Sequence, residues 1–234
     1  MKILALDSTA IIASIALCED EKLLAEYTLR NGNTHSETLL PMIESVLRFF
    51  ALSPDDIDLF AASAGPGSFT GVRIGAATVK GLAFDTQKPC IGVSTLEALA
   101  YNLNHVNGLV CPVMNARRKQ VYTALFRMQN GVAERLLPDS AIAITELDDI
   151  LKKHSEPVYL VGDGYDVTVE NLTHPILPTP ERLRHQSAFS VAQVAYRAYQ
   201  NGIRTIDIEM SPTYLRPSQA ERERAEREKT GIKL

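Results

Sequence analysis

Gly65-Pro66-Gly67-Ser68-Phe69-Thr70-Gly71-Val72-Arg73-Ile74-Gly75 is the stretch whose reading decides the fold. An apolar run from Asp58 to Ala64 leads into it and predicts a buried strand. Two glycines around Pro66 make a sharp turn, and Thr70 is the expected N-cap of a helix running to about Phe84. A glycine-rich turn between a strand and a helix lets a backbone approach an anion or another chain. The stretch is not a Walker loop, because no Lys-Ser or Lys-Thr pair follows the last glycine. Its third glycine also falls one place too late for the dinucleotide fingerprint. Gly71, Gly75 and Thr78 share one helix face. Glycine inside a helix costs roughly 1 kcal/mol against alanine. Close packing accounts for two of them, either within this protein or against a second chain. Phe69, an aromatic in a turn of small residues, points to a surface contact.

Upstream, Lys2–Leu6, Ala10–Cys18 and Lys22–Leu29 predict a meander of three strands, followed by a polar loop from Arg30 to Thr34 that contains Gly32. A helix starts near His35, capped by Ser36 or Thr34, with Leu39, Leu40, Ile43, Val46, Leu47 and Phe50 on one face. Downstream, Pro89–Val93 is a strand, and Ser94 or Thr95 caps a helix to about Asn104. Leu109–Met114, Lys119–Arg127 and Val132–Leu137 are strands, the last two joined by the hairpin signal Asn130-Gly131. Thr145 caps a short helix to about Lys153, Val158–Val161 is a strand, and Ser187–Gln200 is a helix. Three strands, a helix, a strand and a helix thus occur twice. Asp7-Ser8-Thr9 and Asn115-Ala116-Arg117 stand at matching turns. The expected fold is α/β, with lobes at 1–105 and 106–217 and a charged tail at 218–234. Each lobe has a mixed sheet covered by helices, and a cleft lies between the lobes.

The 234 residues carry a net charge of −4, so a protein gripping nucleic acid by itself is not expected; no basic stripe is evident. Cys18, Cys90 and Cys111 are scattered singly, which excludes Cys-x-x-Cys zinc and redox motifs and predicts buried, reduced thiols. No apolar run reaches about 18 residues and no signal-peptide pattern is present, so the expected location is the cytoplasm, with no membrane contact.

His-Glu-x-x-His and Gly-x-Ser-x-Gly are both absent, and no pair among the five histidines is spaced i,i+4. The carboxylates expected near the cleft are Asp7, Asp163 and Asp166. Asp7 with Ser8 and Thr9 could hold a magnesium-bound phosphate. Asn115 at the matching turn is neutral and a poorer partner for Mg²⁺. Gly162-Asp163-Gly164 is either a backbone seat for an adenosine or a tight turn. Asp7, Ser8, Thr9, Asn115, Gly162, Asp163 and Gly164 together outline a vestigial nucleotide site. One reading open at this point is a stand-alone ATPase or phosphotransferase using Asp7 and Asp163.

Gly65–Gly75 resembles the signature of the bacterial tRNA threonylcarbamoyladenosine biosynthesis family TsaB, also called YeaZ. Ile3–Thr9, His35–Pro41, Asn115–Tyr122 and Pro212–Arg216 resemble its first strand, first helix, second hairpin and end. The family commonly has Asp-Ala-Arg where this chain has Asn115-Ala116-Arg117. The resemblance implies the actin-like, sugar-kinase-like, Hsp70-like fold. It also implies a non-catalytic subunit that binds a catalytic paralogue, TsaD, and is joined by an ATPase, TsaE. That assembly moves a threonylcarbamoyl group onto the adenosine beside the anticodon. ATP and metal then belong to the complex, no cofactor is bound by this subunit alone, tRNA is reached only through the complex, and the chain alone forms a homodimer. The paralogue holds metal with His-x-x-x-His on its first helix; here that spacing from His35 lands on Leu39. The implied partner interface comprises His35, Ser36, Glu37, Leu39, Leu40, Ile43, Phe69, Thr70, Gly71, Arg73, Gly75 and Thr78. An older glycoprotease label finds no support in these residues.

Overall fold

A computed structural model describes residues 1–30, 34–84, 86 and 88–217. Gly32 and the charged tail lie outside the described residues. The first sheet is built from β1 (Lys2–Asp7), β2 (Ala13–Glu19), β3 (Lys22–Leu29), β4 (Leu59–Ser63) and β5 (Cys90–Val93) in the order β3-β2-β1-β4-β5. β1 pairs antiparallel with β2 and parallel with β4. The second sheet uses β6 (Gly108–Asn115), β7 (Gln120–Gln129), β8 (Val132–Ala143), β9 (Val158–Val161) and β10 (Ile176–Leu177) in the order β10-β9-β6-β7-β8. Its pairings repeat those of the first sheet one for one. The helices are α1 (His35–Phe49), α2 (Phe69–Ala83), α3 (Thr95–Tyr101), α4 (Ile144–Leu151), α5 (Tyr165–Val169) and α6 (Ala188–Gln200). Each half therefore reads βββαβαβα, one strand and one helix longer than the repeat legible in the sequence. This duplicated two-lobed arrangement is the actin-like α/β fold.

Alternation along the central strands explains why the sheets are covered on both faces. Leu4, Leu6, Ile15 and Leu17 face α1 and α2, packing on Leu39, Met42, Ile43 and Val79. Ile3, Ala5, Ala16 and Cys18 face the other way, onto Val191 and Ala195 of α6. In the second sheet, Val110, Ala124 and Phe126 pack on Leu96, Leu99 and Leu103 in and after α3. Leu109, Val113 and Leu125 pack on Ile144, Leu147 and Leu151 of α4. The last helix of each half thus covers the sheet of the other half.

Several local expectations are corrected. Ser68, not Thr70, caps α2, its hydroxyl accepting from the Gly71 N–H at 3.3 Å. Thr34 stands at the N-cap of α1 without a side-chain bond, while Ser94 and Ser187 cap α3 and α6. α4 starts one residue before Thr145, with Ala143 at its cap. Leu40 and Phe50 turn outward from α1, and Met42 fills the core in their place. β8 runs on past Leu137 to Ala143, with shifts in its register against β7. Asn130 and Gly131 both have positive φ, 51° and 75°, as the hairpin signal requires. No helix among the described residues is long and apolar enough to cross a membrane.

Candidate functional site

The end of β1 and the start of α2 are locked together. Asp7 is 1% exposed and its Oδ1 accepts the Thr9 N–H at 2.8 Å and the Thr9 hydroxyl at 2.7 Å. The Ser63 hydroxyl donates to Oδ2 at 2.5 Å. Burial pushes the Asp7 pKa above its ordinary value, against these hydrogen bonds. Ser8 donates to the Gly71 carbonyl at 2.9 Å. A Cβ on Gly71 would run into the Ser8 carbonyl, and one on Gly75 would sit 2.5 Å from Ser8 Oγ and 3.0 Å from Leu6 Cδ1. The small face of α2 is therefore spent inside the protein. Gly71 and Gly75 are removed from the expected partner interface for this reason. Thr78 is half-buried and donates to the Ile74 carbonyl of its own helix at 2.8 Å.

The second half repeats the turn with a neutral residue. Asn115 Oδ1 accepts the Arg117 N–H at 2.8 Å, the counterpart of the Asp7–Thr9 bond. Asp163 accepts the Asn115 N–H at 3.1 Å, and partial desolvation between the cleft walls pushes its pKa up. Gly65 after β4 and Gly162 after β9 both have φ of 113°, a further mark of the repeat. Asn115, Gly162, Asp163 and Asp166 line an interlobe cleft of about 530 Å³. Gly164 instead donates its N–H to the Val113 carbonyl at 3.0 Å. Asp7, Ser8 and Thr9, each 1% exposed, lie beneath the surface with their polar atoms already used. The outlined nucleotide site is thus divided.

Sequence reasoning missed the rest of the cleft wall. Arg184 lies 3.6 Å above the Tyr165 ring, and its Nη1 is 3.9 Å from Asp166. Arg30, His185 and Gln186 also line the cleft. Nothing in their spacing marked them, because they come from a strand end, a helix and the approach to α6. The lining mixes cations and carboxylates and could bind a polar ligand. Among the described residues, no group of three or more His, Cys, Asp or Glu side chains could hold a metal ion. The three thiols are buried, and desolvation pushes each up to about 12, as expected of packing residues.

A second surface lies on α1 and α2. Ser36, Glu37, Thr70 and Arg73 are exposed, whereas Leu39 and Ile43 belong to the core. His35 neither caps its helix nor points away; its Nε2 lies 2.7 Å from the Ala10 carbonyl. Leu40, Phe49 and Phe84 are 55%, 82% and 72% exposed. Leu40, Leu47, Leu52 and Leu82 line a groove of about 510 Å³ there. The C-terminal segment packs at the N-terminal end of α2. Thr213 N–H donates to the Ala64 carbonyl at 2.6 Å, and Tyr214 stacks on Phe69 with ring centres 4.2 Å apart. Arg73 Nε donates to the Tyr214 hydroxyl at 2.8 Å.

Residues 23–222 match the family described as "TsaD: tRNA N6-adenosine threonylcarbamoyltransferase". The Bacillus subtilis protein named "tRNA threonylcarbamoyladenosine biosynthesis protein TsaB" is 38% identical over 162 residues, 69% of this chain and 71% of that one. The chain belongs to the TsaB (YeaZ) family. The solved structure of YeaZ from Pseudomonas aeruginosa agrees, with a TM-score of 0.77 at 27% identity over 92% of this chain and 99% of that one. A Novosphingobium aromaticivorans tRNA N6-adenosine threonylcarbamoyltransferase is 30% identical over 162 residues, 66% of this chain and 41% of that one. This chain and that transferase therefore share sequence over about two thirds of this chain.

Proposed function

We propose that the protein is a non-catalytic accessory subunit in tRNA threonylcarbamoyladenosine synthesis. It binds the catalytic paralogue TsaD and supports transfer of threonylcarbamoyl to the adenosine next to the anticodon. TsaE joins the pair, and ATP and metal are held by the assembly rather than by this subunit. Alone, the chain pairs with itself in the cytoplasm.

The observation that carries this reading is the open apolar groove at α1 and α2, lined by Leu40, Leu47, Leu52 and Leu82, with Leu40 55% exposed. Apolar surface of this kind is stabilised by a covering partner. A related chain presents a related face, so the same surface serves a homodimer and a heterodimer. A specific interface there buries roughly 1,200–2,000 Å² in total. Position 39 supports the division of labour: the place of the paralogue's second histidine is taken by a leucine that is 1% exposed in the core.

The test is light scattering after size exclusion, for the protein alone and mixed with TsaD. The expected result is a homodimer that converts to a one-to-one heterodimer. No association, with or without ATP and TsaE, would overturn the proposal. Turnover of ATP by the isolated protein that disappears in Asp7→Ala would favour the stand-alone ATPase instead.

A further inference from the structure

The turn between β6 and β7 breaks a local rule without a local gain. Arg117, Arg118 and Lys119 occupy three successive left-handed positions, with φ of 63°, 54° and 56°. Glycine or asparagine adopts this conformation with less strain. The turn is over-determined by its anchors. Gln120 N–H donates to the Arg117 carbonyl at 3.0 Å, Ile144 N–H donates to the Lys119 carbonyl at 3.1 Å, and Arg216 Nη1 donates to the Ala116 carbonyl at 2.9 Å. Strain held this way, on three exposed cations in a row, marks a functional position.

The surroundings reinforce it. Residues 59–84, 98–133 and 210–217 contain no aspartate or glutamate in a chain of net charge −4. These three stretches meet here, through Tyr214 on Phe69, Thr213 on Ala64 and Arg216 on Ala116. They bring Arg73 and Arg216 to the same side as Arg117, Arg118 and Lys119. No carboxylate of a described residue lies within 4.0 Å of a nitrogen of Arg73, Arg117, Lys119 or Arg216. Asp163 approaches at the Asn115 N–H, and exposed Glu146 stands two residues beyond Ile144, whose N–H holds the Lys119 carbonyl. Tyr214, 39% exposed, supplies an aromatic face among the cations.

We propose that this patch, centred on the Arg117–Lys119 turn, is a direct contact for the phosphate backbone of RNA. Fixed cations beside a partly exposed aromatic ring fit a polyanion whose bases can stack. The choice of RNA over an acidic polypeptide rests on the functional reading above. The cations are scattered along the sequence, so the stripe exists only once the chain has folded. The contact adds to binding by an assembly; it does not need the whole protein to be basic.

The test measures fluorescence anisotropy of a labelled anticodon-hairpin RNA titrated with the full chain at several salt concentrations. The Arg117→Gln/Lys119→Gln variant is expected to weaken binding about tenfold at low salt. It also lowers the slope of log affinity against log salt by about 1.4–1.8, the share of two phosphate contacts. The Arg117→Gly/Lys119→Gly variant suits the left-handed backbone and separates fold from function: it melts no lower than the parent yet loses the same RNA affinity. An unchanged affinity and slope in both variants would overturn the proposal. So would absence of hairpin binding by the parent, or displacement of the hairpin by polyglutamate at matched charge, which would reassign the patch to an acidic protein. Pairing of the same variants with TsaD is scored separately by mass. Intact pairing with no RNA effect sinks only the patch, and lost pairing in the parent sinks only the accessory role.

Discussion

Asp7 and Asn115 hold equivalent turns, and only one of them can ionise. Each accepts the N–H two residues on at 2.8 Å. Burial raises the Asp7 pKa above its ordinary 3.8, so ionisation is disfavoured in the folded chain. The sign follows: stability linked to Asp7 is fully present below pH 3.8 and falls as pH rises from there through the folded value. Asp7→Asn does not titrate, keeps the Thr9 bond through its carbonyl, and lets its amide donate to Ser63. The variant should melt like the parent below pH 3.8 and higher than the parent at neutral pH. Melting curves across that range check it. Equal melting temperatures at neutral pH would mean that the three hydrogen bonds fully offset burial. Two glycines of α2 make the opposite pair of tests. Gly75→Leu cannot fit against Ser8 and Leu6 and should unfold the first lobe rather than block a partner, whereas Gly81 has nothing within 4 Å of a Cβ. Gly81→Ala should stabilise by up to about 1 kcal/mol. Spacing alone placed the small face on α2 correctly but not what it packs on, because a neighbouring strand and a partner helix ask for the same small residues.

At the scale of elements, α1 and α2 each present one face to the sheet and one to solvent. Met42, Ile43 and Val79 settle the inner face; Phe49 and Phe84 define the outer one. Leu40→Glu should leave the melting temperature within about 2 °C, since the side chain is 55% exposed, and abolish both self-pairing and pairing with TsaD. Circular dichroism with light scattering decides it; a fully assembled variant would remove this face from the interface. The long helices and the central strands were legible because their apolar periods run for many residues. α5 and β10, five and two residues long, carry too few periods to stand out. The caps were partly misread because Ser68 and Thr70 are both good N-cap types, and the tight packing at Gly71 selects the earlier one. The cleft was legible at Asn115, at the turn through Gly162 and Asp163, and at Asp166. Arg184 and Tyr165 meet through the fold, not through spacing.

For the whole molecule, the exchange of α3 and α6 between the sheets ties the lobes together. Tyr101 of α3 reaches back into the α6 side of the first sheet, so neither sheet is closed by its own half alone. Unfolding should therefore be a single transition, with calorimetric and van't Hoff enthalpies equal. A fragment of residues 1–105 should show no cooperative melt. Two separable transitions would mean that the lobes are independent. The duplication itself was readable from element order and from the paired turns. The exchange was not, because a helix pattern carries no record of which sheet it covers.

That exchange has a consequence during synthesis. The face of the first sheet formed by Ile3, Ala5, Ala16 and Cys18 waits for Val191 and Ala195. At ribosomal rates of about 5–20 residues per second, the hundred-odd residues between β5 and the end of α6 take roughly 5–20 s to emerge. For that interval the nascent chain carries an uncovered apolar sheet, the kind of surface that a ribosome-associated chaperone shields. Stop codons or pauses placed before residue 188 should therefore be far more damaging to yield than the same interruption after residue 200.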